Sequence, residues 1–155
     1  MENELHIILS KMKILDGLTD EEIKILAPYG KKIQFPADKI IIRERENSPG
    51  LYILISGAME VYLAADARTR QRLSDVNLCK MDRGNCVGEY SLIDGQPASA
   101  TVKTLENCII FHISPANFAE LREKHPVITG KIFYNMLKVL VARAREYDIE
   151  LDMVL

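Results

Sequence analysis

One stretch of the sequence decides the fold: residues 88–102, which read GEYSLIDGQPASATV. The stretch predicts a strand that ends at Gly88, one short helical turn, and a loop of small residues that returns to a strand at Ala100. The start of such a turn has backbone amides without intrahelical partners, so it can bind an anion. Glu89 can accept hydrogen bonds from hydroxyl groups there, and Ser99 can donate one to a phosphate oxygen.

Short strands surround this stretch on both sides. From Ile33 onward the hydrophobic period is two, β-branched residues prevail, and turn residues separate the apolar runs, which predicts an all-β sandwich or barrel. The predicted strands are Ile40–Ile42, Leu51–Ile55, Met59–Leu63, Val76–Met81, Ala100–Thr104 and Cys108–Ile113. The polar insertion at residues 64–75 predicts a flexible hairpin tip. Its Arg68, Arg70 and Arg72 predict a solvated surface, with contact to an acidic partner as the alternative.

Helical patterns flank the strands. Apolar residues at three- and four-residue steps predict a helix at residues 5–12, and the capping box Thr19-Asp20-Glu21-Glu22 predicts the start of a second one. Ser114 followed by Pro115 predicts another helix start, and Pro126 opens a long last segment without a further proline. This order of elements predicts a single α+β domain, with N-terminal helices in residues 1–31, a β-roll in 32–113 and C-terminal helices in 114–155.

The last helix carries a heptad seam, in which apolar residues alternate steps of four and three. This is the pattern of helices that pack in a coiled coil. The seam consists of Phe133, Leu137, Leu140, Ala144, Tyr147, Leu151 and Val154. A second apolar stripe, confined to the first half of the helix, predicts packing on the β-roll. The later turns show only the narrow seam, so we expect a homodimer joined through this helix.

The composition is that of an ordinary globular fold. Hydrophobic residues make up 48% of the 155 residues and charged residues 27%, which argues against disorder. The formal net charge is −2, so the chain lacks the basic excess of a nucleic-acid binder. No apolar run approaches the roughly 20 residues of a membrane span, and the N-terminus shows no secretory signal. The three cysteines lack disulfide or metal spacing, so we expect reduced thiols and a cytoplasmic location.

The sequence shows no pattern of a catalytic or metal site. A metal-dependent enzyme on a jelly roll needs several histidines and a carboxylate at one site, whereas His6, His112 and His125 are scattered. The motifs His-Glu-x-x-His and Gly-x-Ser-x-Gly are absent, as is a phosphate loop that ends in Gly-Lys-Ser/Thr. We therefore expect a protein that is not an enzyme and has no catalytic residues or metal ligands.

Residues 88–102, together with Gly57, Gly84 and the closing helix, resemble the cyclic-nucleotide-binding domain family. The resemblance covers nearly the whole chain and implies an eight-stranded β jelly roll flanked by N-terminal helices and a long C-terminal helix. It also implies a ligand-sensing regulatory module for cyclic AMP, cyclic GMP or a related small ligand. In this family a DNA-binding module follows the long helix. The sequence ends with the segment that Pro126 opens, so we expect no specific DNA binding.

The resemblance also implies a set of ligand-binding residues. Glu89 would hold the ribose 2′-hydroxyl, and the amides of Tyr90 and Ser91 would face the cyclic phosphate. The implied site consists of Gly88, Glu89, Tyr90, Ser91, Pro97, Ala98, Ser99 and Ala100. One position departs from the family pattern: nucleotide binders carry an arginine immediately after the proline, and this chain has Ala98. We therefore expect weak or absent affinity for cyclic nucleotides.

Four alternatives stay open at this point. The site could have changed its ligand in favour of a less charged molecule, for which the side of Ala98 has room. Glu89 could cap its own short helix instead of holding a ribose. An arginine from elsewhere, such as Arg83 or Arg45, could replace the missing cation. The chain could also be a ligand-independent module for protein–protein contacts or scaffolding that has lost nucleotide binding, with an unknown protein partner.

Overall fold

Two four-stranded antiparallel sheets form the centre of the protein, in a computed structural model that describes residues 2–47, 49–66 and 72–154. The strands are β1 (Gly30–Phe35), β2 (Ile40–Ile42), β3 (Leu51–Ser56), β4 (Met59–Leu63), β5 (Val76–Met81), β6 (Cys86–Val87), β7 (Thr101–Thr104) and β8 (Cys108–Ile113). One sheet has the order β1-β8-β3-β6 and the other the order β2-β7-β4-β5. The predicted α+β fold with an eight-stranded jelly roll is confirmed.

The sequence patterns do not predict two of these strands, β1 and β6. β1 begins at Gly30, ahead of the predicted start of the roll. The sequence pattern does not show this strand because the exposed Lys31 and Lys32 interrupt its apolar alternation. β6 has only two residues, which is too short to show a period.

The polar insertion is tied to the roll on the side that the structure describes. Arg72 donates from Nη2 to Glu44 Oε1 at 2.7 Å, and its backbone carbonyl accepts from the Asp66 amide. The side chain of Arg72 is therefore held by an acidic residue of the same chain and is not simply solvated. Arg68 and Arg70 lie outside the described residues.

Alternation along the strands divides the core into two layers. In β3, Leu51, Ile53 and Ile55 face the helices, whereas Leu54 faces the space between the sheets. Successive side chains of a strand point to opposite faces, so one strand contributes to both layers. The outer layer joins the sheet to the helices, and the inner layer fills the roll.

Five α-helices of the described residues lie at the two ends of the chain and inside residues 88–102. The starts predicted at Thr19, Ser114 and Pro126 are confirmed, whereas the first helix lies a few residues earlier than the predicted 5–12. Thr19 Oγ1 accepts from the amide of Glu22, whose carboxylate accepts from the amide of Thr19 at 2.8 Å. Ser114 Oγ accepts from the amide of Asn117 at 3.1 Å. The helices are α1 (Glu2–Leu9), α2 (Asp20–Leu26), α3 (Glu89–Asp94), α4 (Pro115–Lys124) and α5 (Pro126–Val154). In the described part of the chain, no helix has both the length and the hydropathy of a membrane span.

The first half of α5 is fixed to the body of the protein. Ile132 and Met136 are fully buried in the outer core layer. Between them, Asn135 donates from Nδ2 to the backbone carbonyls of Ile14 and Asp16, at 3.0 and 2.8 Å. These contacts set the direction in which the rest of the helix leaves the core.

The predicted seam begins inside this fixed half. Phe133 packs against Phe118 with the ring centroids 5.5 Å apart, so it belongs to the core of its own chain. Further along, Leu137 and Leu151 are 55% and 61% exposed. The exposed part of the seam therefore starts at Leu137, the second residue of the predicted seam, and not at Phe133.

Candidate ligand-binding site

Gly88 makes the sharp turn on which the site is built. Its φ is +88°, a left-handed conformation that a residue with a side chain adopts only with strain. A Cβ atom at this position would also collide with the backbone carbonyl oxygen of Gly50. Glycine is therefore required where β6 ends, and it allows α3 to begin at the next residue, Glu89.

The loop after α3 is held by backbone hydrogen bonds to the segment that precedes β3. The Ala98 amide donates to the carbonyl of Glu46 at 2.8 Å, and the Ala98 carbonyl accepts from the amide of Arg45 at 2.7 Å. Both backbone polar groups of Ala98 are thus engaged within the protein. What Ala98 offers to a ligand is its methyl group.

A cavity of about 270 Å³ lies between the roll and α5. Its walls on the roll side are mainly apolar, and its polar groups come from the start of α3, the following loop and the second half of α5. The roll contributes Ile42, Val61, Leu78, Cys79, Met81, Val87 and Val102, and α5 contributes Arg143, Glu146, Tyr147 and Glu150.

The structure brings most of the implied site residues together at this cavity. Seven of the eight line it: Gly88, Glu89, Tyr90, Ser91, Ala98, Ser99 and Ala100. Pro97 does not line it and is exposed. Glu89 and Ser91 are buried, at 7% and 4% exposure, whereas Tyr90 is 43% exposed and stands at the edge.

Glu89 forms an ion pair with an arginine that the sequence analysis did not consider. Arg143 of α5 places Nη1 3.5 Å from Glu89 Oε1, with the two side chains 26% and 9% exposed. The N-cap of α3 is Gly88, and the helix start has no side-chain cap hydrogen bond, so Glu89 does not cap its own helix. The pair joins the start of α3 to the last helix across the cavity.

The two arginines suggested as replacements lie elsewhere. Arg83 is exposed in the turn before β6. Arg45 places Nη2 3.7 Å from Asp66 Oδ2, in a separate surface depression. Among the described residues, Arg143 is the only arginine or lysine that lines the cavity.

Burial affects the two partners of the pair unequally. Desolvation raises the pKa of Glu89, and the hydrogen bond from its own amide and the attraction of Arg143 only partly offset this increase. For Arg143, burial disfavours the charge, but the hydrogen bond to Tyr90 and the attraction of Glu89 outweigh it and raise the pKa. The Glu89 carboxylate is more buried than the Arg143 guanidinium, so burial shifts the pKa of Glu89 toward its neutral form, whereas Arg143 keeps its charge.

A periodic signal for Arg143 was present in the sequence. Ile132 and Met136 lie one turn apart on the buried face of α5, and a further step of seven residues reaches Arg143 on the same face. The heptad pattern predicts the neighbouring seam and does not include Arg143. Continuing the buried stripe past its last apolar residue would have placed an arginine against the roll.

A β-roll with a cavity closed by a helix is the architecture of a small-ligand-binding domain. The chain matches the cyclic nucleotide-binding domain over residues 32–125, more than half of its length, and it belongs to this family. It is 25% identical over 141 residues to the cyclic AMP receptor protein of Thermus thermophilus. That match covers 91% of this chain but only 61% of the receptor protein.

Solved structures show the same fold. A cyclic nucleotide-binding domain from Methylobacillus flagellatus superposes with a TM-score of 0.80 at 25% identity, over 99% of this chain and 84% of that one. The regulatory subunit of a cAMP-independent protein kinase A from Trypanosoma brucei superposes with a TM-score of 0.75 at 17% identity. This second match covers 96% of this chain and 49% of the subunit.

The raised pKa of Glu89 predicts a specific pH dependence of stability. Between the pKa of the unfolded chain, near 4.5, and the raised pKa of the folded chain, the folded state binds more protons. The free energy of unfolding should therefore fall as the pH rises through this window. Chemical denaturation of the wild type and Glu89→Gln at several pH values measures the contribution, because other titrating groups cancel in the difference.

We expect the wild type to lose stability relative to Glu89→Gln as the pH rises. In Arg143→Gln, which lacks the cation that lowers the pKa of Glu89, the loss should extend to higher pH. A difference between wild type and Glu89→Gln that is constant with pH would contradict the assignment of a buried, ionisable carboxyl.

Proposed function

We propose that this chain is a non-enzymatic, ligand-sensing regulatory module in which a small molecule occupies the cavity between the roll and α5, with weak affinity for cyclic nucleotides. The observation that carries the proposal is the ion pair of Glu89 and Arg143 inside the cavity. A ligand that reaches Glu89 has to displace Arg143 or share the carboxylate with it. In either case, ligand binding changes how α5 is held against the roll.

Weak affinity for cyclic nucleotides follows from the position of the charges. A buried phosphate needs a cation, and bidentate donation from an arginine is the strongest arrangement for it. Ala98 supplies no charge, and Arg143 is already paired with Glu89. A phosphate that took over Arg143 would leave Glu89 buried without a cation, and breaking a buried pair in this way costs about 3–5 kcal/mol.

The alternative is a ligand-independent module for protein–protein contacts. The same ion pair supports it, because Arg143 supplies a partner to Glu89 from within the chain. The Trypanosoma brucei neighbour belongs to a kinase that is cAMP-independent, although at 17% identity the likeness concerns the fold alone. The two functions differ in whether any molecule binds the cavity.

Restoring the arginine of the family pattern tests whether the missing cation at position 98 is the cause of weak cyclic-nucleotide binding. Ala98→Arg should tighten binding of cyclic AMP or cyclic GMP by at least about tenfold, because it provides a cation that is not committed to Glu89. Adding Glu89→Ala should abolish the gain. Isothermal titration calorimetry of the wild type and both variants gives the comparison.

Gln96→Arg is the matched control, since it adds the same charge at an exposed position of the same loop that does not line the cavity. It should give less than about a threefold change if the position of the cation matters more than the net charge. Low-micromolar binding by the wild type that Ala98→Arg does not improve would contradict the proposal, because the phosphate would then have another partner.

We further propose that two copies of the chain associate through the exposed seam of α5. Leu137, Leu151 and Tyr147 are each more than half exposed, and Leu140 between them is half-buried. Burying such a stripe against a second copy contributes several kcal/mol at about 25 cal/mol per Å². The net charge of −2 also supports the proposal that this chain does not bind duplex DNA specifically.

Charge on the seam should separate the two copies. The double variant Leu137→Glu/Leu151→Glu should sediment as a monomer at concentrations where the wild type is a dimer, because both residues are exposed and the fold does not need them. Arg145→Glu places a new carboxylate on another exposed face of the same helix and should leave the dimer intact. A wild type that remains monomeric at about 100 μM rules the seam out as an interface.

A further inference from the structure

We infer that the cavity selects a ligand that carries no anionic group: an uncharged molecule with an apolar body and a hydroxyl or amino group that donates to Glu89. This inference rests on the proposed ligand-sensing function and names the chemical class of the ligand. It departs from the phosphate-bearing ligands for which the family is known. Three features of the cavity carry it.

The charged side chains at the cavity are mostly acidic. Glu89, Glu146 and Glu150 line it, and among the residues that the structure describes, Arg143 is the single lining cation. With all four groups ionised, the lining has a net charge of −2. If Glu89 takes up a proton the net charge is still −1, so an anion meets repulsion in either state.

The one cation is already engaged from two sides. Arg143 places Nη1 3.5 Å from Glu89 Oε1 and donates from Nη2 to Met81 Sδ at 3.8 Å. Its position on α5 also puts it one turn from Glu146 and two turns from Glu150. An anionic ligand would have to compete with these acidic groups for the guanidinium.

The groups that remain suit an uncharged, amphipathic molecule. Val61, Met81, Val87 and Val102 form apolar walls inside the roll. Against them stand the buried carboxylate of Glu89 and the buried hydroxyl of Ser91, which can accept hydrogen bonds from ligand donors. The methyl group of Ala98 continues the apolar wall at the position where the family places a charge.

Two dyes with the same aromatic skeleton test the inference directly. N-phenyl-1-naphthylamine is uncharged, whereas 8-anilino-1-naphthalenesulfonate carries a sulfonate, and both fluoresce on transfer from water to an apolar site. We expect the uncharged dye to bind the full chain at least about tenfold more tightly at low ionic strength. Ala98→Phe, which fills the cavity, should remove the binding and so distinguish the cavity from the exposed seam of α5.

Charge removal on α5 provides the second arm. Glu146→Gln/Glu150→Gln should tighten binding of the sulfonate dye by about two- to fivefold and leave the uncharged dye unchanged. Asp148→Asn/Asp152→Asn is the matched control, because it removes the same charge from exposed positions of the helix that do not line the cavity. This control should change neither dye.

Adenosine and cyclic AMP, which differ by the cyclic phosphate, form a second pair for calorimetry, and adenosine should bind at least as tightly. If the sulfonate dye binds the cavity as tightly as the uncharged dye, or cyclic AMP more tightly than adenosine, the inferred ligand class is wrong while the ligand-sensing function stands. If neither dye binds in a way that depends on Ala98, the cavity is not a ligand site and the proposed function fails as well.

Discussion

A buried carboxylate needs a counter-charge, and Glu89 obtains one from the far end of the chain. Gly88, the residue before it, makes this ion pair possible. A residue with a side chain could not adopt the left-handed conformation of Gly88 next to the carbonyl of Gly50, and this turn directs the side chain of Glu89 into the roll. Glu89 is 7% exposed there, and Arg143 of α5 lies 3.5 Å away. The pair is a polar link between the β-roll and the later turns of the last helix, and Arg143 adds a second one through Met81 Sδ at 3.8 Å.

The consequence for α5 is that its two halves are held by different forces. Up to Met136 the helix is packed in the core and bonded through Asn135, so its direction is fixed. Beyond that point its attachment to the roll is the cavity wall around Arg143. Glu150 and Asp152 lie near the helix C-terminus, where negative charge opposes the helix dipole. If a molecule occupies the cavity as proposed, these later turns are the part of the fold that it contacts directly.

The sequence was sufficient to predict the architecture because local patterns, such as alternation, turn residues and helix caps, mark most of the elements. Alternation and turn residues located six of the strands, and the caps at Thr19 and Ser114 located two helix starts. β6 was missed because two residues have no period. The residues implied by the family resemblance lie at the cavity, with the exception of Pro97.

The periodicity of α5 could place Arg143 against the roll, but local patterns could not predict that Arg143 pairs with Glu89. Glu89 and Arg143 are separated by α4, two strands and half of α5, so nothing local couples them, and only the packing of the helix on the roll brings them together. The same packing determines which residues of the seam are exposed. Phe133 belongs to the heptad pattern and to the core at once, and contact with Phe118 decides in favour of the core.

A double-mutant cycle on the ion pair tests the central claim most directly. The free energies of unfolding of the wild type, Glu89→Gln, Arg143→Gln and the double variant are measured by chemical denaturation at pH 7.5. If Arg143 neutralises Glu89 in the folded protein, the double variant should be more stable than the sum of the single effects predicts, by at least about 1 kcal/mol. Additive effects, within about 0.5 kcal/mol, would show that the two residues do not interact and that α5 is held to the roll by other contacts.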